Sequence, residues 1–287
     1  MKTYRNYTRE VLDLQYNVRQ RVPDFQDYFD RFAREAEAAR QAHPHLTDVP
    51  YGDDPLQSFD FFPASSNGRP LLTFIHGGYW RSLDKDLFSH LAVPYLQQGV
   101  NVALINYRLA PQAKMGDIAV DCARALRLLY AKAGALGFDA DSIWLMGHSA
   151  GGHLAALIAA LGAVPVRGIC GISGVYDLEP IRLSYLNEAL HLSQGDAEQA
   201  SPLRLALPLD AKVLLCAGGR ESEEFLRQRD AYAASLRQSG HEVVVAEAPE
   251  AHHLSIIDTA ADAGSPLTRA MLALMSCDLA PVSRTPL

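Results

Sequence analysis

Ser149 sits in Gly147-His148-Ser149-Ala150-Gly151, a G-x-S-x-G pattern. An apolar run at 142–146 precedes it, and a helical pattern from Ala150 to Leu161 follows it. A serine on a sharp strand-to-helix turn holds its hydroxyl clear of the backbone, and that context makes a weak five-residue pattern specific. Glycines two before and two after the serine keep side chains off the turn. The N–H of Ala150 then points to the space above Ser149, and the helix N-terminus adds positive potential where an oxyanion would form. The chemistry this suits is nucleophilic attack on a carbonyl, with an acyl-enzyme intermediate. The plain alternative is a glycine-rich turn without catalysis.

Acyl transfer also needs further N–H donors for the oxyanion. His76-Gly77-Gly78-Tyr79-Trp80 follows directly on the apolar run 71–75. Two adjacent glycines let the backbone turn its N–H groups inward without obstruction. Gly77 and Gly78 are the expected donors beside Ala150, with Tyr79 as a further candidate. His76 reads as a structural residue beneath the loop. Tyr79 and Trp80 either line an acyl or leaving-group pocket or are ordinary packing, and both readings stand.

A serine hydroxyl needs a neutral imidazole to take its proton, and that imidazole needs an acid to orient it. In the chain order that accompanies G-x-S-x-G, the acid comes after the serine and the histidine comes last. His252 and His253 lie in the loop after the last strand-like run, 243–246. One of them is the expected base. His153, one helical turn beyond Ser149, reads as packing. Glu221 follows the run 213–216 and is the expected acid. Asp177, after the preceding strand-like run, is its rival. Glu223 and Glu224 fall on the following helix and are expected to face water.

These residues need a scaffold that brings strand ends together. Short apolar runs at 59–62, 71–75, 102–105, 142–146, 168–172, 213–216 and 243–246 read as strands. Helical patterns over 83–98, 115–134, 150–161, 222–238 and 255–276 alternate with them. The pattern at 115–134 puts Ile118, Cys122, Leu126 and Leu129 on one face. Alternating strands and helices predict an α/β fold with a mostly parallel sheet covered on both faces. Continuously apolar strands fit burial on both faces.

The catalytic part is expected at 46–287, with an irregular, cap-like insert at about 180–208. Residues 1–45 read as a helical extension divided by Pro23, which suits the first turn of the second helix. That extension packs on the main body, closes over the site as a lid, or builds a homodimer interface; all three readings stay open. The tail 278–287 reads as frayed.

Composition narrows the partners. The chain has 287 residues, 48% of them hydrophobic, enough for a sizeable core. With 26 basic and 33 acidic residues the net charge is −7, and no basic block points to nucleic acid. No apolar run is long enough to span a membrane. Four scattered cysteines and an N-terminus without an apolar signal make a reducing cytoplasm the expected setting. The sequence has no H-E-x-x-H, no cysteine cluster and no phosphate-binding glycine loop, so neither metal nor cofactor is expected. The expected partner is a small acyl ester or amide.

The chain resembles the α/β-hydrolase superfamily, and within it the kynurenine formamidase (arylformamidase) branch with its related bacterial esterases. The resemblance rests on HGGYW at 76–80 with the following Arg81-Ser82-Leu83-Asp84-Lys85, NYRLAP at 106–111 and GHSAGGH at 147–153. It extends to ISGVYDLEP at 172–180, ESEEFLRQ at 221–228, HHLSIID at 252–258 and LQYNVRQRVPD at 14–24. It implies Ser149 as nucleophile, Glu221 as acid, His253 rather than His252 as base, and an oxyanion hole at Gly77, Gly78 and Ala150. The chain departs from the eukaryotic members at 221, where they carry Asp. YRLAP also resembles hormone-sensitive-lipase-like esterases, which typically have a glycine where Tyr79 stands.

The family's reaction is hydrolysis of N-formyl-kynurenine to kynurenine and formate. The resemblance therefore implies a metal-independent serine hydrolase for aryl formamides or small aryl esters. A short-chain carboxylesterase or carbamate hydrolase is the alternative within the same mechanism. A non-catalytic binding protein on the same fold is the alternative outside it.

Overall fold

The structure, a computed structural model, describes residues 2–275. Eight strands form one sheet: β1 (Leu46–Pro50), β2 (Ser58–Phe62), β3 (Arg69–Ile75), β4 (Asn101–Ile105), β5 (Phe138–His148), β6 (Gly168–Ile172), β7 (Lys212–Gly218) and β8 (Val243–Ala248). Their order across the sheet is β1-β2-β4-β3-β5-β6-β7-β8. β1 and β2 run antiparallel to their neighbours, and the six strands from β4 to β8 pair in parallel.

Side chains alternate across each strand, so neighbouring residues feed opposite faces of the sheet. Leu71, Ile143 and Leu145 join one apolar cluster with Ile118, Cys122, Leu126 and Leu129 of the helix Met115–Ala131. Leu72, Phe74, Trp144 and Met146 join a second cluster with Phe32, Ile256 and Met271. The helices Ala150–Ala160 and Glu223–Gln238 share the first face, and Phe25–Ala42 lies on the second. β3 is buried over its whole length, with Arg69 and Thr73 among its otherwise apolar residues.

The structure departs from the sequence expectations in five places. β1 has a mostly exposed face and lacks the apolar alternation that would have announced it. Residues 83–98 are not one helix. They form two 3₁₀ turns, Lys85–Leu87 and Ser89–Ala92, and one α-turn, Val93–Leu96. The last helical pattern is two helices, Ile256–Ala261 and Pro266–Met275, divided near Gly264 and Pro266. Pro23 stands ahead of the helix Phe25–Ala42 rather than in its first turn. The stretch 180–208 holds short helices at Glu179–Arg182, Asn187–Leu190 and Gln194–Gln199. The tail 278–287 lies outside the described residues. Among the described residues, no helix is long and apolar enough to cross a membrane.

The N-terminal segment is fastened to the body by buried polar contacts. Tyr16 is fully buried, donates from its hydroxyl to Glu224 Oε2 at 3.0 Å, and accepts from Gln228 Nε2 at 3.2 Å. Glu224 is therefore buried, not solvent-facing as its helix position suggested, and Arg227 neutralises it at 2.8 Å. Tyr79 reaches the same segment by donating to the Tyr16 carbonyl at 2.7 Å.

Candidate active site

Ser149 stands at the junction of β5 and the helix Ala150–Ala160, with φ +57° and ψ −119°. Non-glycine residues rarely hold this conformation, and it persists only where the surroundings enforce it. The glycines of the motif explain the sharpness of the turn. A Cβ on Gly147 would meet the Gly151 carbonyl oxygen at 2.1 Å, and one on Gly151 would meet the Ile75 oxygen at 1.9 Å. A side chain at 151 would push the turn away from β3, and one at 147 would force the strand and the helix start apart.

His253 faces the serine. Its Nε2 lies 3.0 Å from Ser149 Oγ, and its Nδ1 lies 2.6 Å from Glu221 Oε2. The second oxygen of Glu221 accepts from Ser173 Oγ at 2.5 Å and from the Gly218 N–H at 2.7 Å. The acid turn and the base loop are also tied by backbone. Gly219 N–H donates to Ala248 O at 2.9 Å, and Arg220 N–H donates to Ala251 O at 3.0 Å. The parallel pairing of β7 with β8 thus continues into the loops that present Glu221 and His253.

The rival residues are engaged elsewhere. His252 turns to Tyr28, whose hydroxyl is 3.1 Å from its Nε2, and its Nδ1 accepts backbone N–H groups of Leu254 and Ser255. Asp177 accepts from the Tyr4 hydroxyl at 3.2 Å and from the Glu179 N–H at 3.2 Å. Glu223 accepts from the Tyr7 hydroxyl.

The loop 76–83 closes the other side of the serine. Gly77 abuts Ser149: a Cβ there would lie 3.0 Å from the serine Cβ. Gly78 has φ +102°, and a Cβ would collide with Ser82 O at 2.1 Å. Tyr79, Trp80 and Leu83 also take left-handed φ values, so the loop is strained along its length. Among the described residues, no acceptor takes the backbone N–H of Gly78 or Ala150.

Tyr79 and Trp80 separate here. Tyr79 lines the cavity in front of Ser149. Trp80 is fully buried, and its Nε1 donates to His153 Nδ1 at 3.2 Å. His153 in turn donates from Nε2 to Ala200 O at 2.7 Å. This bridge ties the loop 76–83 to the serine's own helix and to the stretch 180–208. Burial pulls the His153 imidazole down to about 4, so it stays neutral and accepts from the indole. His76 is buried beneath the loop, stacked on Tyr107 at 4.4 Å and bonded to Asn106 at 2.9 Å.

Some site residues gave no sequence signal of their role. His148 is buried beside the serine and donates from Nε2 to the His253 carbonyl at 2.8 Å. Burial, and then the neighbouring His253 imidazole, hold it well below the ordinary imidazole range. Phe225 packs against the His253 ring with centroids 4.3 Å apart. Ser173 could have been suspected from its position directly after β6, where the chain leaves the sheet beside the acid.

The cavity has a volume of about 390 Å³. Ser149, His253 and Gly78 lie on it, and Asn17, Val18 and Phe29 of the N-terminal segment wall its other side. That segment both packs on the body and helps enclose the site. Elsewhere, Asp48, Asp60 and Asp86 converge, but the buried ammonium of Lys85 sits among them at 2.7–2.9 Å.

The BD-FAE family model matches residues 61–172, from β2 through the nucleophile turn to β6. Kynurenine formamidase of Salmo salar is 30% identical over 83% of this chain and 85% of the relative. The chain belongs to the kynurenine formamidase branch of the α/β-hydrolases. The Danio rerio kynurenine formamidase is 29% identical over 96% of the chain and 99% of the relative. A solved candidate thioesterase from Silicibacter is 30% identical with a TM-score of 0.81, covering 92% of this chain and 98% of that one. As a member of this branch the protein is a serine hydrolase.

Proposed function

We propose that the protein hydrolyses aryl formamides or small aryl esters through an acyl-enzyme on Ser149. The observation that supports this most is the unbroken chain Glu221–His253–Ser149 at the edge of a 390 Å³ cavity. His253 takes the Ser149 proton on Nε2 as Oγ bonds to the substrate carbonyl carbon. Glu221 orients Nδ1–H and stabilises the imidazolium. Backbone N–H groups of Gly77, Gly78 and Ala150 hold the oxyanion. The tetrahedral adduct breaks its bond to the leaving amine or alcohol, which receives the proton from His253. Water, deprotonated by the same imidazole, then releases the acyl group as formate or carboxylate and restores the serine.

The formamide reading is favoured by the two kynurenine formamidases, which match the chain along most of its length. The confined space beside Tyr79 suits a short acyl group such as formyl. The second reading is a carboxylesterase or thioesterase on the same machinery, supported by the Silicibacter protein. The deciding experiment is kcat/KM for N-formyl-kynurenine beside p-nitrophenyl acetate and butyrate, with Ser149→Ala as blank. A formamide value of about 10⁵ M⁻¹s⁻¹ or above is in the range of enzymes on their own substrates. Ester turnover with negligible formamide turnover would select the second reading. Ser149→Ala should lose a factor on the order of 10⁴ or more in kcat. Near-wild-type turnover in that variant would overturn the mechanism.

A further inference from the structure

The cavity in front of Ser149 is unevenly charged. Arg19 and Arg81 both line it, and no Asp or Glu does. That is unexpected in a chain of net charge −7. Among the described residues neither guanidinium forms an ion pair with a carboxylate. The acidic group nearby, Asp13, is occupied by Arg9 at 3.0 Å and by the Tyr185 N–H at 2.7 Å.

The two arginines share one cavity. Arg81 lies over the Tyr185 ring at 5.6 Å, and Tyr185 lines the cavity too. Burial and the Asp13 carboxylate push the Tyr185 phenol up, while the charges of Arg81 and Arg19 pull it down, so both guanidiniums act on one hydroxyl. Arg19 is braced from behind by the Phe25 ring at 5.0 Å. Stacking on an aromatic face fixes a guanidinium plane and leaves its N–H edge free to donate. The carboxylates that act on this cavity, Asp13 and Glu221, are each held by other partners, and the neighbouring His148 is held neutral by burial. Two planar donors, braced and lacking a protein counter-ion, at the mouth of a small cavity, match the fork geometry of a carboxylate.

We propose that Arg19 and Arg81 form a carboxylate-binding subsite, and that the hydrolase prefers substrates carrying a carboxylate away from the scissile carbonyl. The proposal rests on the reading of Ser149 as the nucleophile in this cavity, but not on the choice between formamide and ester. The subsite would act in binding and orientation, holding the substrate's far end while Ser149 attacks the near carbonyl.

The test compares 4-acetoxyphenylacetate with its uncharged counterpart 4-acetoxyphenylacetamide, which differ only in the distal group. Wild type should favour the carboxylate in kcat/KM by about tenfold or more, mostly through KM, with the preference shrinking as KCl is raised. The double variant Arg19→Met/Arg81→Met should lose that preference, and each single variant part of it. Circular dichroism and fluorophosphonate labelling of Ser149 would establish that the double variant is folded and holds an activated serine. A wild type without the preference, or a preference that survives in the labelled double variant, overturns the subsite and leaves the hydrolase reading standing. Equal turnover of both esters by wild type and Ser149→Ala overturns the hydrolase reading itself. If wild type cleaves neither ester, the same comparison is made between N-formyl-kynurenine and its carboxamide, and equal kcat/KM for that pair overturns the subsite.

Discussion

Ser173 Oγ stands 2.5 Å from Glu221 Oε1, the carboxylate oxygen that does not face His253. With the Gly218 N–H on the same oxygen, both ends of the carboxylate are fixed. Ser173 holds this position from a left-handed backbone, φ +51°, directly after β6, and its N–H donates to Cys216 O at 2.7 Å. A glutamate has one more torsion than an aspartate, and the two donors remove that freedom. Ser173 thus helps to hold the Glu221 carboxylate in place.

Ser173→Ala should lower kcat by roughly tenfold with little change in KM. A hydrogen bond to a charged group is worth about 1.5–3 kcal/mol, and Gly218 retains part of the hold. An unchanged kcat would reduce Ser173 to packing.

The assignment of acid and base can be tested by paired substitutions. Glu221→Ala should cost far more kcat than Asp177→Ala, whose carboxylate is taken up by Tyr4 and the Glu179 N–H. His253→Ala should likewise cost far more than His252→Ala. Losses on the order of 10³ or more are expected at 221 and 253. A comparable loss at 177 or 252 would sink the assignment.

Much of this site was legible in the chain because its parts are local. The turn at Ser149 is written in five consecutive residues, and the strands behind it are mostly apolar. Chain order pointed to the ends of β7 and β8, and there the structure brings Glu221 and His253 together. The choice between His252 and His253 was not local. It depends on Tyr28 and Phe225, which pack on the two rings from opposite parts of the chain. Trp80 looked equally fit for a pocket or for packing, since its buried partner His153 lies 73 residues away. Residues 83–98 have helical periodicity, yet the structure breaks them into short turns, with Lys85 drawn inward by Asp60. Arg19 falls within the 14–24 stretch that resembles the family, but nothing in the sequence placed it on the cavity.

The Trp80–His153 contact predicts a stability effect that differs from a catalytic one. Trp80→Phe would leave the buried Nδ1 of His153 without its donor, costing about 1–3 kcal/mol. A Tm lower by several degrees is expected in thermal unfolding. The strained loop that holds Gly77 and Gly78 would also loosen, so kcat should fall. A variant with unchanged Tm would show that the indole N–H contributes nothing there.

The buried imidazoles predict a loss of stability in acid. Burial pulls both His90 and His153 from the ordinary imidazole range down to about 4. In the unfolded chain both would titrate near 6.5. Between these limits the unfolded state binds more protons than the folded one, so stability rises with pH. It is fully present above about 6.5 and is lost as pH falls toward about 4, at roughly 1.4 kcal/mol per pKa unit for each histidine. His90 is the cleaner probe, because both its ring nitrogens are buried without a hydrogen bond and its ring stacks on Phe32 at 5.4 Å. His90→Phe keeps an aromatic ring there and removes the titrating group. Urea unfolding at pH 7.5 and pH 5 should then show a smaller difference for the variant than for wild type. Equal differences in the two proteins would mean that His90 takes no part in the acid sensitivity.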